Sequence, residues 1–214
     1  MICGYYGGMP ESKPPQAEDP SRKIRFTEGK IGGCYAIQFP AFSDARGLFV
    51  KTIQRSVFEH QGLEVDFAEV FYSTSRKNVL RGMHLQLPPS DHAKLVYCTS
   101  GSICDVAVDL RVGSDTYGQY EVYELTADAN NAVYLSRGIA HGFYVRKAPC
   151  TVIYHVTSEH DPSHDVGVLW NSFGAPWPVN NPIVSVRDQS LPVFSEFKSP
   201  FRIDRMTRSK KVPH

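Results

Sequence analysis

KLVYCTSGSICDVAVDLR, residues 94–111, is the stretch of the chain that decides its fold. Two runs rich in strand-forming residues, 94–99 and 103–111, are separated by Ser100-Gly101, a dipeptide typical of a tight turn. Successive side chains of the second run alternate between two faces. One face carries Cys104, Val106, Val108 and Leu110. The stretch therefore predicts two antiparallel strands joined by a hairpin.

Two acidic residues occupy the other face of the second run. Asp105 and Asp109 flank Ala107 there, and a carboxylate that faces an apolar core without a partner is costly. This face either lines a polar barrel lumen or is exposed to solvent. The pattern leaves both alternatives open.

Similar segments recur along the chain. Short β-rich runs bounded by turn residues lie at 34–39, 49–53, 67–73, 119–125, 131–135, 142–145 and 151–156. This spacing predicts an all-β domain, either an antiparallel sandwich or a barrel. A helical period is present only at 55–61 and 192–196, so we expect short peripheral helices.

Composition excludes several classes of protein. The chain has 214 residues, 42% hydrophobic and 21% charged, which fits a single globular domain. Its 23 Lys+Arg against 22 Asp+Glu argue against a nucleic-acid partner. No apolar run approaches the roughly 20 residues of a membrane helix, and the first residues do not resemble a signal peptide. We therefore expect a cytoplasmic protein with no membrane partner.

Three segments can be distinguished. Residues 1–25 are rich in Gly and Pro and have too few apolar side chains for a core, which predicts an N-terminal extension. Residues 26–200 form the predicted domain, and 201–214 a basic tail. The five cysteines show no CxxC spacing, so we expect reduced thiols.

Several motifs together resemble one enzyme family. In order they are FSDARGLF (42–49), VLRGMHLQ (79–86), KLV (94–96), DVAVDLR (105–111), GIAHGF (138–143), LWN (169–171) and VSVRD (184–188). Their order and approximate spacing, between about residues 30 and 195, resemble those of the dTDP-4-dehydrorhamnose 3,5-epimerase family. The resemblance implies a cupin-type jelly roll, a homodimer and a nucleotide-linked 4-keto-6-deoxy sugar as the substrate.

The chemistry of that family implies roles for three residues. The C4 ketone acidifies the C–H bonds at C3 and C5, because loss of either proton gives a conjugated enolate. The resemblance makes His84 the general base and Asp188 the carboxylate that orients its imidazole. Lys94 matches the lysine that holds the negative charge on the C4 oxygen.

Other positions match the family's substrate contacts. Arg81 and Arg46 match basic residues that approach the diphosphate, a role suited to the guanidinium fork. His141, Phe49 and Tyr154 match further positions of the pocket.

One departure from the family concerns the acid. The family has a tyrosine six residues beyond the position of Tyr154, and it reprotonates the enolate from the face opposite the base. This chain has His160 there. A histidine differs from a phenol in reach and in titration range, so inversion at one carbon is favoured, with C3 preferred over C5. Inversion at both carbons remains open.

Three other departures concern the nucleotide. Lys51 takes the place of a glutamate at the thymine end of the pocket, and Glu69 and Phe71 take the places of Gln and Asn. A cation in place of an acceptor changes which base edge is recognised, so we predict a CDP-linked sugar. The alternatives are a dTDP-4-keto-6-deoxyglucose 3,5-epimerase and a non-catalytic cupin that binds a sugar nucleotide.

Metal binding is disfavoured by the same motif. Many cupins hold a metal through a His-x-His pair and a following Glu, whereas this chain has His84-Leu85-Gln86 and no glutamate at the expected distance. We therefore expect no metal and no other cofactor.

Overall fold

Residues 23–203 are described by the computed structural model of the chain. Most of the predicted N-terminal extension, 1–25, and most of the predicted tail, 201–214, lie outside the described residues. The boundaries of the three segments therefore stay predictions.

Strands dominate the described part of the chain. They are β1 Arg25–Glu28, β2 Cys34–Gln38, β3 Ala41–Asp44, β4 Gly47–Val50, β5 Glu69–Ser75, β6 Leu80–Gln86, β7 Lys94–Asp109, β8 Tyr120–Thr126, β9 Asn131–Leu135, β10 Ile139–Val156 and β11 Asp165–Gly167. Between these strands all pairings are antiparallel. The predicted all-β antiparallel class is confirmed.

Nine strands form one sheet. Its order is β1-β2-β9-β7-β10-β6-β11, with β5 added to β10 and β8 added to β7. Strands β3 and β4 form a separate hairpin. The long strands β7 and β10 thus lie at the centre of the sheet. Strands β5 and β6, which carry residues of the candidate site, both pair with β10.

The predicted hairpin turn at Ser100-Gly101 is wrong. Strand β7 continues through it, from Lys94 to Asp109, and pairs with β10 on both sides of that point. The pairing register shifts around residues 145–151 of β10. Gly101 has a φ of +73°, and a Cβ there would lie 2.3 Å from the carbonyl oxygen of Lys147. The glycine therefore marks an irregularity where two backbones approach closely.

Both faces of the second half of β7, residues 103–109, are buried. Val106 packs in one apolar cluster and Ala107 in another. Asp105 and Asp109 are each 0% exposed, so the solvent-exposed alternative for this face is wrong. Asp109 accepts hydrogen bonds from Nε of Arg111 at 2.8 Å and from other neighbouring donors. The carboxylates are tolerated in the interior because each has a partner.

The helices are short. α1, Arg55–His60, confirms the helix expected at 55–61, and the segment 192–196 contains a 3-10 turn, Phe194–Glu196. α2, Val186–Gln189, was not predicted; the hydroxyl of Ser185 caps it by accepting the N–H of Asp188 at 3.0 Å. No helix within residues 23–203 is long and apolar enough to cross a membrane.

The cysteines of the described part are free and buried, as expected. They are Cys34, Cys98, Cys104 and Cys150. Cys3 lies outside the described residues.

Candidate active site

A cavity of about 360 Å³ gathers most of the residues singled out from the sequence. Eight residues predicted to act in catalysis or substrate recognition line it: Glu69, Phe71, Arg81, His84, Lys94, His141, Tyr154 and His160. The remaining wall consists of Ser73, Leu85, Gln86, His92, Phe143, Val156, Asp165 and Arg187. These side chains come from β5, β6, β7, β10, β11 and α2 and from segments that follow the strands.

His84 and Asp188 form a hydrogen-bonded pair. Nε2 of His84, on β6, lies 2.8 Å from Oδ1 of Asp188, on α2. The second carboxylate oxygen accepts the backbone N–H of Gly82 at 3.0 Å. Asp188 is buried behind the ring, whereas the His84 side chain keeps 27% of its surface exposed at the cavity.

The carboxylate of Asp188 determines the tautomer of His84. Burial by itself would raise the pKa of Asp188, but the hydrogen bond and charge of His84, with Gly82 and Ser185, lower it below its usual value. Because an ionised carboxylate only accepts, Nε2 of His84 carries the proton in the neutral ring. Within residues 23–203, Nδ1 has no hydrogen-bond partner, and its lone pair is left for a substrate.

Position 82 requires glycine. Gly82 has a φ of +119°, and a Cβ there would lie 2.4 Å from Cα of Gly142 on β10. This backbone conformation, which other residues rarely adopt, aims the N–H at Asp188. Gly82, two residues before His84, therefore supports the His84–Asp188 pair by donating a hydrogen bond to Asp188.

Lys94 is a poorly hydrated cation. The residue is 9% exposed, and its Nζ donates to the carbonyl oxygen of His84 at 3.1 Å. Burial lowers the pKa of Lys94 to about 8; Asp165 and Asp105 oppose this shift and Arg187 adds to it. Below that pH the ammonium gains from contact with a substrate atom that becomes negative.

A second imidazole–carboxylate pair lies deeper. Nε2 of His141 is 2.5 Å from Oδ2 of Asp105, and the two side chains are 5% and 0% exposed. The pair explains how a carboxylate in the middle of β7 is accommodated. It places the imidazole of His141 in the wall of the cavity.

Tyr154 supplies an aromatic part of the wall. Phe71 stacks on its ring with 4.7 Å between the ring centroids, and His141 packs edge-on at 6.2 Å. Burial raises the pKa of Tyr154 well above its usual value. The phenol therefore stays protonated and can donate a hydrogen bond to a ligand.

His160 stands at the rim, in the segment that follows β10. Its side chain is 54% exposed, and its Nδ1 lies 4.0 Å from Oδ2 of Asp165. Asp165 is itself paired with Arg187 at 2.8 Å. No sequence motif predicted a role for Asp165 or Arg187; the available signal was the position of Arg187 next to Asp188.

Three predicted substrate contacts lie elsewhere. Arg46 and Phe49 belong to the β3–β4 hairpin and Lys51 follows it, and none of them lines the cavity of its own chain. Phe49 is 58% exposed, and Arg46 pairs with Asp44 at 2.5 Å. A single chain therefore does not bring these three residues to the site.

Gln86, the residue in place of a second metal-binding imidazole, has another use here. Its side-chain amide accepts the N–H of Asp161 and donates to the carbonyl of Glu159. Among residues 23–203, no three His, Cys, Asp or Glu side chains are grouped as metal ligands would be.

The amino-acid sequence of residues 28–196 is similar to that of one protein family. A family model for dTDP-4-dehydrorhamnose 3,5-epimerase matches residues 28–196. The dTDP-4-dehydrorhamnose 3,5-epimerase of Shigella flexneri is 37% identical over 150 residues, which cover 69% of this chain and 83% of the relative.

Solved structures show the same similarity. The dTDP-4-dehydrorhamnose 3,5-epimerase of Bacillus anthracis, with TDP and PPi bound, has a TM-score of 0.77 and 34% identity, covering 80% of this chain and 99% of that one. A 3'-monoepimerase of Streptomyces bikiniensis, in complex with dTDP-quinovose, has a TM-score of 0.73 and 30% identity, covering 78% and 86%. The predicted cupin-type jelly roll is confirmed by these structures.

Proposed function

The chain belongs to the dTDP-4-dehydrorhamnose 3,5-epimerase family and is a nucleotide-sugar epimerase; from that premise we propose that it inverts C3 and C5 of a dTDP-linked 4-keto-6-deoxyhexose. The observation that carries the proposal is one cavity in which the His84–Asp188 pair adjoins Lys94. A base and a cation are what enolisation beside a ketone requires. Their presence speaks against the non-catalytic alternative.

Proton removal is the first step. Nδ1 of His84 takes the proton from the carbon beside the ketone. The C–H bonding pair forms a double bond to C4, and the π pair of the carbonyl moves to the C4 oxygen to give an enolate. Asp188 stabilises the resulting imidazolium through Nε2. The ammonium of Lys94 stabilises the negative oxygen.

Inversion requires that a proton return to the other face of the enolate. His84 enters the cavity from β6, and His160 enters from the segment after β10. We assign delivery of the second proton to the imidazolium of His160, after which both rings exchange with solvent. Arg81, whose Nε donates to Ser75 at 3.0 Å, directs its guanidinium to the cavity and suits the diphosphate.

The nucleotide is better assigned as dTDP than as the CDP predicted from the sequence. That prediction relied on Lys51, Glu69 and Phe71. Glu69 accepts the N–H of His160 at 2.7 Å and Phe71 stacks on Tyr154, so both have contacts unrelated to a nucleobase. The similar structures hold TDP and dTDP-quinovose.

Hydrogen exchange tests the function. Purified protein is incubated in D2O with dTDP- or CDP-4-keto-6-deoxyglucose, and deuterium at C3 and C5 is followed by NMR. We expect exchange and inversion at both carbons, faster with the dTDP sugar. Absence of exchange with both substrates would overturn the proposal, and faster exchange with the CDP sugar would favour a CDP-linked substrate instead.

A single inversion at C3 is the second candidate. It is favoured by His160 in place of the family's tyrosine, and one similar structure is a 3'-monoepimerase. In the same experiment this candidate gives deuterium at C3 with little at C5. The cytoplasmic location stays a prediction, and we also propose a role in deoxysugar and surface polysaccharide biosynthesis.

We also propose a homodimer in which the β3–β4 hairpin of one protomer completes the cavity of the other. Arg46, Phe49 and Lys51 lie on or beside this hairpin, outside their own cavity. Leu48 and Phe49 are each 58% exposed, an arrangement that a partner surface would cover.

Mixing two inactive variants tests the shared site. Arg46→Ala lacks a diphosphate contact and His84→Asn lacks the base, so we expect each alone to be strongly impaired. In an equal mixture about half of the dimers contain one protomer of each variant, and one of the two sites in such a dimer has both residues intact. Activity should therefore recover to about a quarter of the unmodified level. As a control, the double variant mixed with His84→Asn should stay inactive. No recovery in the first mixture would refute the shared site.

A further inference from the structure

Three backbone polar groups around His160, from two successive peptide groups, are held by two side chains from strands. These groups are the carbonyl of Glu159, the N–H of His160 and the N–H of Asp161. Gln86, on β6, binds the first and third, and Glu69, at the start of β5, binds the second. We propose that Gln86 and Glu69 are positioning residues that hold His160 in place as a proton donor, an inference that rests on the proposed function.

Gln86 is suited to this role by its burial and its two-sided amide. The residue is 4% exposed. Its Oε1 accepts the N–H of Asp161 at 2.7 Å, and its Nε2 donates to the carbonyls of Glu159 at 3.1 Å and Ser90 at 2.7 Å. Both amide protons of Gln86 thus have backbone carbonyl acceptors, and its amide oxygen has a backbone N–H donor.

Glu69 binds His160 itself, which lies between Glu159 and Asp161, the two residues bound by Gln86. Its Oε2 accepts the backbone N–H of His160 at 2.7 Å. The antiparallel register places Glu69 opposite Val156, four residues before His160. A glutamine could accept the same hydrogen bond through its amide oxygen, whereas an alanine could not.

The segment is braced again beyond His160. Asp161 accepts a hydrogen bond from Oγ of Ser90 at 2.7 Å and lies 2.6 Å from Nδ1 of His164. On the other side, Oγ of Ser158 donates to the carbonyl of Ser90 at 2.6 Å. The side chains of Ser158 and Asp161, on either side of His160, therefore tie this segment to Ser90 in the loop after β6.

The side chain of His160 needs such support because little else fixes it. It is 54% exposed, and its closest charged partner, Asp165, is 4.0 Å away, beyond hydrogen-bond distance. A proton donor displaced by about 1 Å from its target can lose about two orders of magnitude in rate. A rigid backbone is the means by which this exposed imidazole is kept over the cavity.

The test compares inversion with exchange. Removal of the first proton by His84 brings deuterium into substrate recovered from D2O, whereas inversion also needs the donor on the other face. In Gln86→Ala and Glu69→Ala we expect the ratio of inversion to exchange to fall by about tenfold. Glu69→Gln, which keeps the acceptor, should retain a ratio closer to that of the unmodified enzyme. A general loss of folded protein would lower both rates together and leave the ratio unchanged.

Gln38→Ala is the matched control. Gln38, on β2, also donates from a strand to a loop carbonyl, that of Ala129 at 2.7 Å, but it lies outside the cavity. We expect its ratio to be unchanged. In a His160→Ala background, Gln86→Ala should cause no further fall, because the donor that it positions is gone.

Two outcomes overturn the inference. One is an unchanged ratio in both alanine variants, and the other is a further fall when Gln86→Ala is added to His160→Ala. If the unmodified protein exchanges the proton at neither C3 nor C5, the proposed function fails separately. Amide hydrogen exchange then tests whether Gln86 positions the backbone of His160. Faster exchange of the His160 and Asp161 amides in Gln86→Ala than in Gln38→Ala supports this positioning, and equal rates refute it.

Discussion

His84→Asn abolishes proton exchange at the sugar carbons, with an expected fall of at least about 10⁴-fold in rate. The variant removes Nδ1, the atom assigned to take the proton. The shorter amide does not reach the position of Nε2, but the backbone N–H of Gly82 still donates to Asp188, so the buried carboxylate keeps a partner and the fold should be retained. The measurement is the initial rate of deuterium incorporation at C3 and C5, with circular dichroism to verify the fold.

Two further variants sharpen this prediction. In Asp188→Asn the tautomer of His84 is no longer enforced, and we expect a loss of about 10²–10³-fold. His155→Asn is the control, because His155 is also a strand histidine with a hydrogen-bond partner, Tyr97 at 3.2 Å, but lies outside the cavity. If His84→Asn keeps more than about one hundredth of the activity, another group is the base.

Lys94→Met lowers activity and raises stability at the same time. Loss of the cation beside the C4 oxygen should reduce exchange by about 10²–10³-fold. In the folded state, burial lowers the pKa of Lys94 from 10.5 to about 8, which corresponds to a cost of about 3 kcal/mol for holding the charge at neutral pH. An apolar side chain of similar length avoids this cost, so we expect the free energy of unfolding at pH 7 to rise by about 1–3 kcal/mol.

The pH dependence of Lys94 follows from the same shift. Because the ammonium is the proposed active form, the exchange rate of the unmodified enzyme should fall as pH rises through about 8. Between that value and 10.5 the unfolded chain binds more protons than the folded one, so stability should rise over this range. Lys94→Met should lack both changes. An alkaline fall in rate that persists in Lys94→Met would assign it to another group.

The sequence predicts the structure correctly where the information is local or follows the order of motifs. The strand alternation at 103–111 indicated an all-β fold, and the motifs indicated His84, Asp188 and Lys94, which the structure brings together. It failed at Ser100-Gly101, because a glycine with positive φ serves a strand irregularity as well as a hairpin turn. The irregularity is distinguished from a hairpin turn by the pairing of both halves of β7 with β10, and β10 begins 30 residues after β7 ends.

The sequence by itself determined the class of fold and indicated the candidate reacting groups, since side-chain alternation and motif order are properties of the chain alone. Only the tertiary structure decided which groups meet. His84 and Asp188 are 104 residues apart, and Gln86 and Glu69 reach the segment around His160 from positions 75 and 91 residues away. These contacts depend on the register between distant strands, and a shift of one residue would turn each side chain to the opposite face of the sheet.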